Sequence, residues 1–304
     1  MSDDILRPSD WIYYKLYVGS ALAGLNELII QTIPLTLALD GWDRWFFIRY
    51  FDEDGLHIRL RLRARPGESA RLAGQVQEVC VAGLERLPSL PPSEYRPMVL
   101  PPGGQGQDGA FLATMKVALK SEQYEPELDK FGGVGGMPVA EAAFQESSEI
   151  AVSLLRDERD GQLSRKTLAP CLMAAAFAAF PDLGGPDAFW RRYALYWLGG
   201  DNAVSVEWRE RFVGKGEELR AREVPIVARA EELSEGAGTL VARWEAALAD
   251  AAGAYRALGH SEVADESLLL NFIHLMNNRL GLTPLEEAYL ATLLEHQAAA
   301  VASV

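Results

Sequence analysis

The chain has 304 residues, of which 49% are hydrophobic, and it carries a formal net charge of -14 at pH 7. These values predict a soluble globular protein with a substantial core and argue against a broad nucleic-acid surface, because counterion release requires clustered lysines and arginines. A small or peptidic partner is the better expectation. The longest apolar run, around Ala174–Phe180, is too short for a membrane span, and the acidic start of the chain does not resemble a signal peptide, so we expect a cytosolic protein that does not act in membranes.

Strand and helix patterns alternate over residues 1–135. Aromatic and β-branched runs mark the strands, and apolar residues at helical spacing between turn residues mark the helices. The order of these segments predicts an α+β fold with a mostly antiparallel sheet and flanking helices. The predicted strands are Trp11–Val18, Trp45–Phe51, Leu56–Arg63, Tyr95–Leu100 and Phe111–Leu119, and the predicted helices run from an N-cap at Ser20, with a kink at Pro34, to the turn before Gly41, and from Glu68 to Arg86.

From residue 136 onward the pattern is helical almost throughout. We expect one domain, residues 1–304, with an α+β portion over 1–135 and a largely α-helical portion over 136–304. The predicted helices cover residues 138–155, 168–180, 187–198, 201–219, 228–257, 262–279 and 284–300.

The sequence predicts neither a metal nor an organic cofactor. Cys80 and Cys171 lie in apolar helical patterns without CxxC or histidine-paired spacing, so we expect structural thiols. The chain has no HExxH motif, no carboxylate cluster with metal spacing, no phosphate-binding glycine loop and no GxSxG elbow.

The stretch Leu56–Arg63 alternates apolar and basic residues with the period of a β-strand. Arg59, Arg61 and Arg63 therefore share one face with His57, while the apolar side chains between them face the core. Because like charges repel, such a row indicates a place where anions or carboxylates bind. The alternative is an edge strand, on which basic residues discourage aggregation.

His274 lies in an apolar helical pattern, three residues before Asn277 and five before Arg279. A histidine in that setting is either a hydrogen-bonded core residue or a proton carrier, since imidazole exchanges protons near neutral pH. Surface roles are the default for His260 and His296, in a predicted loop and in the last helix.

The segment Tyr124–Gly133 combines a proline, charged residues and paired glycines. This composition suits a turn whose backbone passes close to a ligand, with Glu127 and Lys130 as candidate functional residues. An ordinary solvated turn would have the same composition.

Four segments together resemble one family. They occur in the order and character of the C-terminal elimination domain of glutamylating (class I) lanthipeptide dehydratases, a domain that is also found as a free-standing protein in thiopeptide-type bacteriocin pathways. The resemblance covers essentially the whole chain. Its segments are WIYYKLYVGS from Trp11, WFFIRYFDEDGLHIRLRLR from Trp45, YEPELDKFGG from Tyr124 and FIHLMNNRLG from Phe272.

This resemblance implies a reaction. In the family a partner enzyme or domain transfers glutamate from glutamyl-tRNA to Ser or Thr side chains of a ribosomally made precursor peptide. The elimination domain then expels glutamate and leaves dehydroalanine or dehydrobutyrine. Such an elimination needs a base that accepts the α-proton, cations that stabilise the enolate-like transition state, and groups that bind the carboxylates of the leaving glutamate.

The resemblance also implies roles for residues of this chain. Arg59 and Arg61 match the two arginine positions of the family and His274 matches its functional histidine, so these three are the catalytic candidates. Glu127, Lys130 and His57 are predicted to bind substrate. Lys130 departs from the family, which usually has arginine there, and lysine lacks the planar fork that binds a carboxylate through two N–H groups.

The implied partners are a glutamylated precursor peptide and a separate glutamylating enzyme that would handle the tRNA; a homodimer is left open. One alternative is the pyridine-forming cycloaddition enzyme of thiopeptide pathways, which is not expected to retain the elimination residues. Another is a non-catalytic subunit that carries the precursor or scaffolds the glutamylating enzyme. The joint presence of Arg59, Arg61 and His274 favours elimination.

Overall fold

The computed structural model describes residues 10–19, 24–87, 98, 115–222, 224–228, 233–259 and 263–302. The chain forms two compact units: the first holds the described residues up to Arg156 except Met98, and the second holds Met98 and the residues from Asp157 onward. A sheet followed by helices confirms the predicted α+β class. The division into portions at residue 135 stays a prediction. Ser20, His260 and the predicted strand Tyr95–Leu100, apart from Met98, lie outside the described residues.

The described part of the first unit is built on four antiparallel strands: β1, Trp11–Val18, β2, Trp42–Asp52, β3, Gly55–Ala64, and β4, Val117–Glu122. They form one sheet in the order β2-β3-β1-β4. The arginine-rich strand β3 therefore lies inside the sheet, so the edge-strand alternative does not hold. Strand β4 begins later than the predicted Phe111–Leu119, of which residues 111–114 lie outside the described part.

The apolar face of β3 forms the centre of the core in this unit. Ile58, Leu60 and Leu62 are fully buried, and each contributes on the order of 1.5–3 kcal/mol through burial. Helix α3, Ser69–Glu85, contacts β1, β3 and β4. The hydroxyl of Tyr14 on β1 donates to the Ala73 carbonyl on α3 at 3.2 Å, which fixes the helix against the sheet.

Besides α3, the described part of the first unit contains a helical region between β1 and β2 and a long helix after β4. Between β1 and β2 the chain forms α1, Gly24–Glu27, a π-helical turn, Leu28–Thr32, and α2, Ile33–Leu37. The hydrogen-bonding pattern changes just before the predicted kink at Pro34, whose missing N–H falls in the first turn of α2, where it is not needed.

The long helix α4, Gly133–Arg159, contacts β2 through side chains that bond the strand's backbone. The backbone N–H of Phe47 donates to Ser148 Oγ at 3.2 Å, and that of Trp45 donates to Gln145 Oε1 at 3.4 Å. These contacts satisfy donors on a strand that, among the described strands, has a sheet neighbour on one side only.

The described part of the second unit is helical, with helices α5, Arg165–Ala178, α6, Pro186–Trp197, α7, Ala203–Ala221, α8, Glu235–Ala257, α9, Asp265–Leu280, and α10, Pro284–Ala302. Helix α8 starts later than predicted, because Ser234 caps it by accepting a hydrogen bond from the Ala237 N–H at 3.3 Å. Helix α9 is followed by Gly281, whose φ of 82° suits glycine. No helix among the described residues combines the length and the apolar composition that a membrane crossing requires.

Candidate functional site

The basic residues of β3 share one face of the sheet with aromatic residues of the neighbouring strands. Arg61 lies opposite Tyr13 of β1 and Phe46 of β2, and directly opposite residues of an antiparallel pair point to the same side. Arg59 lies opposite Lys15 of β1 in the same way. The predicted row of guanidiniums is therefore present, in the middle of a sheet and against an aromatic background.

Arg61 is buried, and none of the described residues forms a hydrogen bond or an ion pair with it. Its residue is 8% exposed, and its guanidinium carbon lies 4.5 Å from the ring centre of Tyr13, 5.3 Å from Phe46 and 5.2 Å from Tyr124. Its Nε donates to nothing, and no described residue forms an ion pair with the side chain. Burial lowers the pKa of Arg61, although the guanidinium remains protonated. Cation–π contacts offset part of the desolvation cost, and an anion would offset more.

Arg59 is held by His57 and Tyr50. Its guanidinium carbon lies 3.4 Å from the centre of the Tyr50 ring, and its Nε donates to His57 Nε2 at 3.3 Å. His57 Nδ1 lies 3.0 Å from the Gly55 carbonyl, which only accepts, so the proton of this neutral ring is on Nδ1. His57 is fully buried, and burial lowers its pKa. This geometry makes His57 a support for Arg59.

A carboxylate adjoins this end of the face. Asp52 Oδ2 accepts a hydrogen bond from the Tyr17 hydroxyl at 2.9 Å and lies 3.7 Å from Lys15 Nζ. Burial alone would raise the pKa of Asp52, but the hydrogen bonds from Tyr17 and from the Asp54 backbone N–H, together with the Lys15 charge, lower it below its usual range. His57 Nε2, which accepts from Arg59, lies 3.8 Å from Asp52 Oδ2, so one side chain separates Arg59 from this carboxylate. Arg61 does not pair with any described carboxylate.

Arg63, unlike Arg61, has carboxylate partners. Its Nε donates to Asp43 Oδ1 at 2.7 Å, and its Nη1 lies 3.8 Å from Glu141 Oε2 on α4. Glu141 also accepts a hydrogen bond from the Tyr124 hydroxyl at 3.1 Å. Burial raises the pKa of Glu141 to about 7, against the lowering effects of Tyr124 and Arg63.

Glu127 and Lys130 pair with each other at the surface. Lys130 Nζ lies 2.5 Å from Glu127 Oε1, and the side chains are 56% and 58% exposed. A short 3₁₀ helix, Leu128–Lys130, sets this spacing. Glu127 also raises the pKa of Arg61 by its charge, against the larger effect of burial. Of the two predicted substrate-binding residues in this turn, Glu127 thus acts electrostatically on the arginine face.

His274 lies in the second unit, where it contacts a buried carboxylate. Its Nδ1 is 2.9 Å from Glu287 Oε1 at the start of α10, and its ring centre lies 4.2 Å from that of Trp197. The His274 side chain is 27% exposed, whereas Glu287 is fully buried. His274 is therefore a partly accessible imidazole fixed on one edge by an acid and on one face by an indole.

Glu287 receives two more hydrogen bonds at its other oxygen. The Tyr193 hydroxyl and Asn277 Nδ2 both donate to Oε2, the latter at 3.3 Å. Burial raises the pKa of Glu287, and the hydrogen bonds from His274, Tyr193 and Asn277 act in the opposite direction.

Sequence reasoning missed Glu287. A signal was present, because Glu287 lies three, four and seven residues before the apolar Leu290, Ala291 and Leu294 and so falls on the buried stripe of α10. A carboxylate on such a stripe needs hydrogen-bond partners, but the stripe does not identify the residues of other helices that supply them.

The structure brings Arg59, Arg61 and His57 together on one sheet face and puts Glu127 within electrostatic reach. Arg59 and Arg61 belong to the first unit and His274 to the second, and their action on one substrate stays a prediction. Within the described ranges, no three or more His, Cys, Asp and Glu side chains cluster as metal ligands would.

Several solved structures are similar in fold to this chain. The tRNA-dependent lantibiotic dehydratase MibB from Microbispora sp. 107891 matches with a TM-score of 0.62 and 22% identity, over 100% of this chain and 29% of MibB. This chain thus spans less than a third of MibB. TbtD, the pyridine synthase from thiomuracin biosynthesis, matches with a TM-score of 0.72 and 20% identity, over 97% of this chain and 99% of TbtD. TsrL matches with a TM-score of 0.58 and 16% identity, over 97% and 95% of the two chains.

The TM-scores of 0.62, 0.72 and 0.58 show a common fold, and the family assignment comes from the match to a family model. A search of curated proteins returned no significant match. The model of the lantibiotic biosynthesis dehydratase C-terminal family matches residues 11–299, nearly the whole chain, and confirms the resemblance inferred from the four segments. The chain therefore belongs to the family of lantibiotic biosynthesis dehydratase C-terminal domains.

Proposed function

We propose that this protein is a lyase that eliminates glutamate from glutamylated Ser or Thr side chains of a ribosomally made precursor peptide, leaving dehydroalanine or dehydrobutyrine. Arg61 carries the proposal. It is a buried guanidinium ringed by Tyr13, Phe46 and Tyr124, with no polar partner among the described residues. A desolvated cation of this kind is stabilised by an anion, and its planar fork matches a carboxylate. Glutamate leaves as a carboxylate, so it belongs to the fitting ligand class.

The other candidate residues have complementary roles in this proposal. Arg59, steadied by His57, directs its remaining N–H groups to the enolate oxygen that develops when the α-proton is removed. His274 accepts that proton. Glu127 and Lys130 contact the substrate at the surface, where the lysine supplies charge without a bidentate fork.

The proposal includes two partners. One is the glutamylated precursor peptide, and the other is a separate tRNA-dependent enzyme that attaches the glutamate. The net charge of -14 supports the second, because handling tRNA requires a basic surface. The site assignment calls for no cofactor, and a homodimer stays a prediction.

A second candidate function is pyridine formation by cycloaddition. One observation favours it: this chain and the pyridine synthase TbtD correspond over nearly their full lengths, with a higher TM-score than the match to MibB. The pyridine synthase reaction would not by itself call for a carboxylate site at Arg61, and for that reason we rank it second.

A synthetic peptide carrying a glutamylated serine tests the proposal directly. Incubation with the protein should release free glutamate and leave a peptide lighter by one glutamic acid, as measured by mass spectrometry. Arg61→Ala and His274→Ala should each leave the ester intact, with rates reduced about 100-fold or more. Arg65→Ala and His296→Ala are matched controls, since Arg65 is exposed and paired with Asp40, and both should react like the wild type.

The competing functions give different products. Conversion of a peptide that already contains dehydroalanines, with release of its leader and no action on the ester, would support pyridine formation. Binding of the peptide without any conversion would support a non-catalytic subunit. Unchanged elimination by both Arg61→Ala and His274→Ala would refute the site assignment.

A further inference from the structure

Both oxygens of the Glu287 carboxylate lie within hydrogen-bond distance of a group that can donate. Oε1 is 2.9 Å from His274 Nδ1, and Oε2 accepts from the Tyr193 hydroxyl and from Asn277 Nδ2. The three hydrogen bonds favour the ionised carboxylate against the effect of burial, and an ionised carboxylate accepts but does not donate, so the nitrogen that faces it carries a proton. Glu287 thus selects one of the two neutral forms of His274, with hydrogen on Nδ1 and the lone pair on Nε2.

The ring of His274 is fixed in orientation as well as in protonation. Trp197 covers one face, with a ring-centre separation of 4.2 Å and an interplanar angle of 31°. No described residue forms a hydrogen bond with Nε2. The other predicted site histidine differs, because His57 is fully buried and its Nε2 accepts from Arg59 Nε.

We infer that Glu287 is a positioning residue: it holds His274 with its proton on Nδ1, so that Nε2 is the atom that accepts the α-proton of the substrate. This inference rests on the proposed elimination for the identity of the proton. It extends that proposal by naming the residue that orients the base, the tautomer and the reacting atom.

The step balances as follows. The α-proton moves to Nε2, and the electron pair of the Cα–H bond becomes the new double bond between Cα and Cβ. The Cβ–O bond breaks, and its electron pair leaves on the glutamate carboxylate. His274 becomes an imidazolium beside the Glu287 carboxylate, which stabilises the ring by its charge and by the hydrogen bond at Nδ1.

The variant Glu287→Gln gives a sharp test because the surrounding donors dictate how an amide will sit. Tyr193 and Asn277 both donate at the Oε2 position, so the amide oxygen should occupy it. The amide nitrogen then faces Nδ1 of His274 and donates to it. The neutral ring is forced into the form with hydrogen on Nε2, which removes the lone pair from the reacting atom.

The measurement is nitrogen NMR of the full-length protein labelled at histidine, at a pH where the ring is neutral. The His274 signals are identified by their loss in His274→Asn. In the wild type Nδ1 should give the protonated-nitrogen shift and Nε2 the unprotonated one, and Glu287→Gln should exchange the two. Glu266 lies on the same helix as His274 and forms an exposed ion pair with Arg192 of another helix. The control variant Glu266→Gln should leave both nitrogen shifts of His274 unchanged. Wild-type protein with its proton on Nε2 would overturn the inference.

Kinetics separate this inference from the proposed function. With the glutamylated peptide, Glu287→Gln should lower kcat about 100-fold or more and leave KM within a few fold, since the base is misprotonated while binding is unaffected. If NMR finds the proton of His274 on Nδ1 but the protein releases no glutamate, the proposed function is refuted. The role of Glu287 in orienting the His274 ring would still stand. Elimination that persists in a folded Glu287→Gln protein whose tautomer has switched would overturn the assignment of Nε2. Circular dichroism and thermal unfolding establish that the variant is folded.

Discussion

Arg61 and Glu287 are both buried charged groups, yet their surroundings are opposite. Arg61 contacts three aromatic rings and has no polar partner among the described residues, whereas Glu287 accepts hydrogen bonds from three donors. A buried charged group without a partner lowers the stability of the protein, whereas a buried carboxylate whose oxygens all accept hydrogen bonds lowers it little. Glu287 is thus satisfied within the protein, whereas Arg61 meets only aromatic rings among the described residues, and this difference is the reason why we propose a carboxylate ligand at Arg61.

The largest expected effect comes from replacing Arg61 by an apolar residue of similar length. Arg61→Met should slow elimination about 100-fold or more, because the carboxylate and the developing charge lose their cation. The same change should raise the free energy of unfolding by about 1 kcal/mol, since it removes an unpaired buried charge. Urea denaturation measures the change in the free energy of unfolding, and the assay with the glutamylated peptide measures the change in elimination rate for the same purified variant.

Arg63→Met is the matched comparison on the same strand. Arg63 is paired with Asp43 and with the buried Glu141, so its loss should lower the free energy of unfolding by about 1 kcal/mol. Opposite signs for the two variants would establish that only Arg61 is unpaired in solution. A destabilised Arg61→Met protein would break the comparison, because it would mean that the aromatic rings alone satisfy the guanidinium.

A second prediction concerns Glu141, the counterpart of Glu287 in the first unit. Glu141 has one hydrogen-bond donor, Tyr124, and an arginine at 3.8 Å, and burial raises its pKa to about 7 from the ordinary 4.5. Between these values the folded state binds more protons than the unfolded chain. The contribution of Glu141 to stability is therefore full below pH 4.5 and is lost as the pH rises through about 7.

Comparison with Glu141→Gln isolates this contribution. The variant should match the wild type near pH 5 and exceed its free energy of unfolding by about 2 kcal/mol at pH 8, where the wild-type carboxylate is ionised. Denaturant unfolding at both pH values is the measurement. An identical pH dependence in the two proteins would mean that Glu141 titrates normally.

The sequence predicted the parts of the fold and site that local periodicity determines. Alternation put the β3 arginines on one face, and the apolar stripes gave most of the helices. Alternation cannot say which strands flank β3, so it could not separate an edge strand from the interior strand that is observed. The pairing of Arg61 with Tyr13, Phe46 and Tyr124 depends on those neighbours and on a turn far along the chain.

The partners of His274 were beyond sequence reasoning for a related reason. Tyr193, Trp197 and Glu287 come from two other helices, so their contact with His274 is set by helix packing. The choice between core residue and proton carrier depended on these contacts and on the 27% exposure of the ring.

The smallest expected effect is at Lys130, where the resemblance leads us to expect an arginine. Lys130 is exposed and its only described ion pair is with Glu127, and such surface pairs contribute about 0–1 kcal/mol. Lys130→Arg should therefore change the elimination rate by no more than a few fold. It should change the free energy of unfolding by no more than a few tenths of a kcal/mol. Lys130→Gln should lower kcat/KM about tenfold at most, through lost charge near the substrate carboxylates. A gain of about 100-fold in Lys130→Arg would show that a bidentate contact is missing in the natural protein, and the carboxylate site would then extend from Arg61 to position 130.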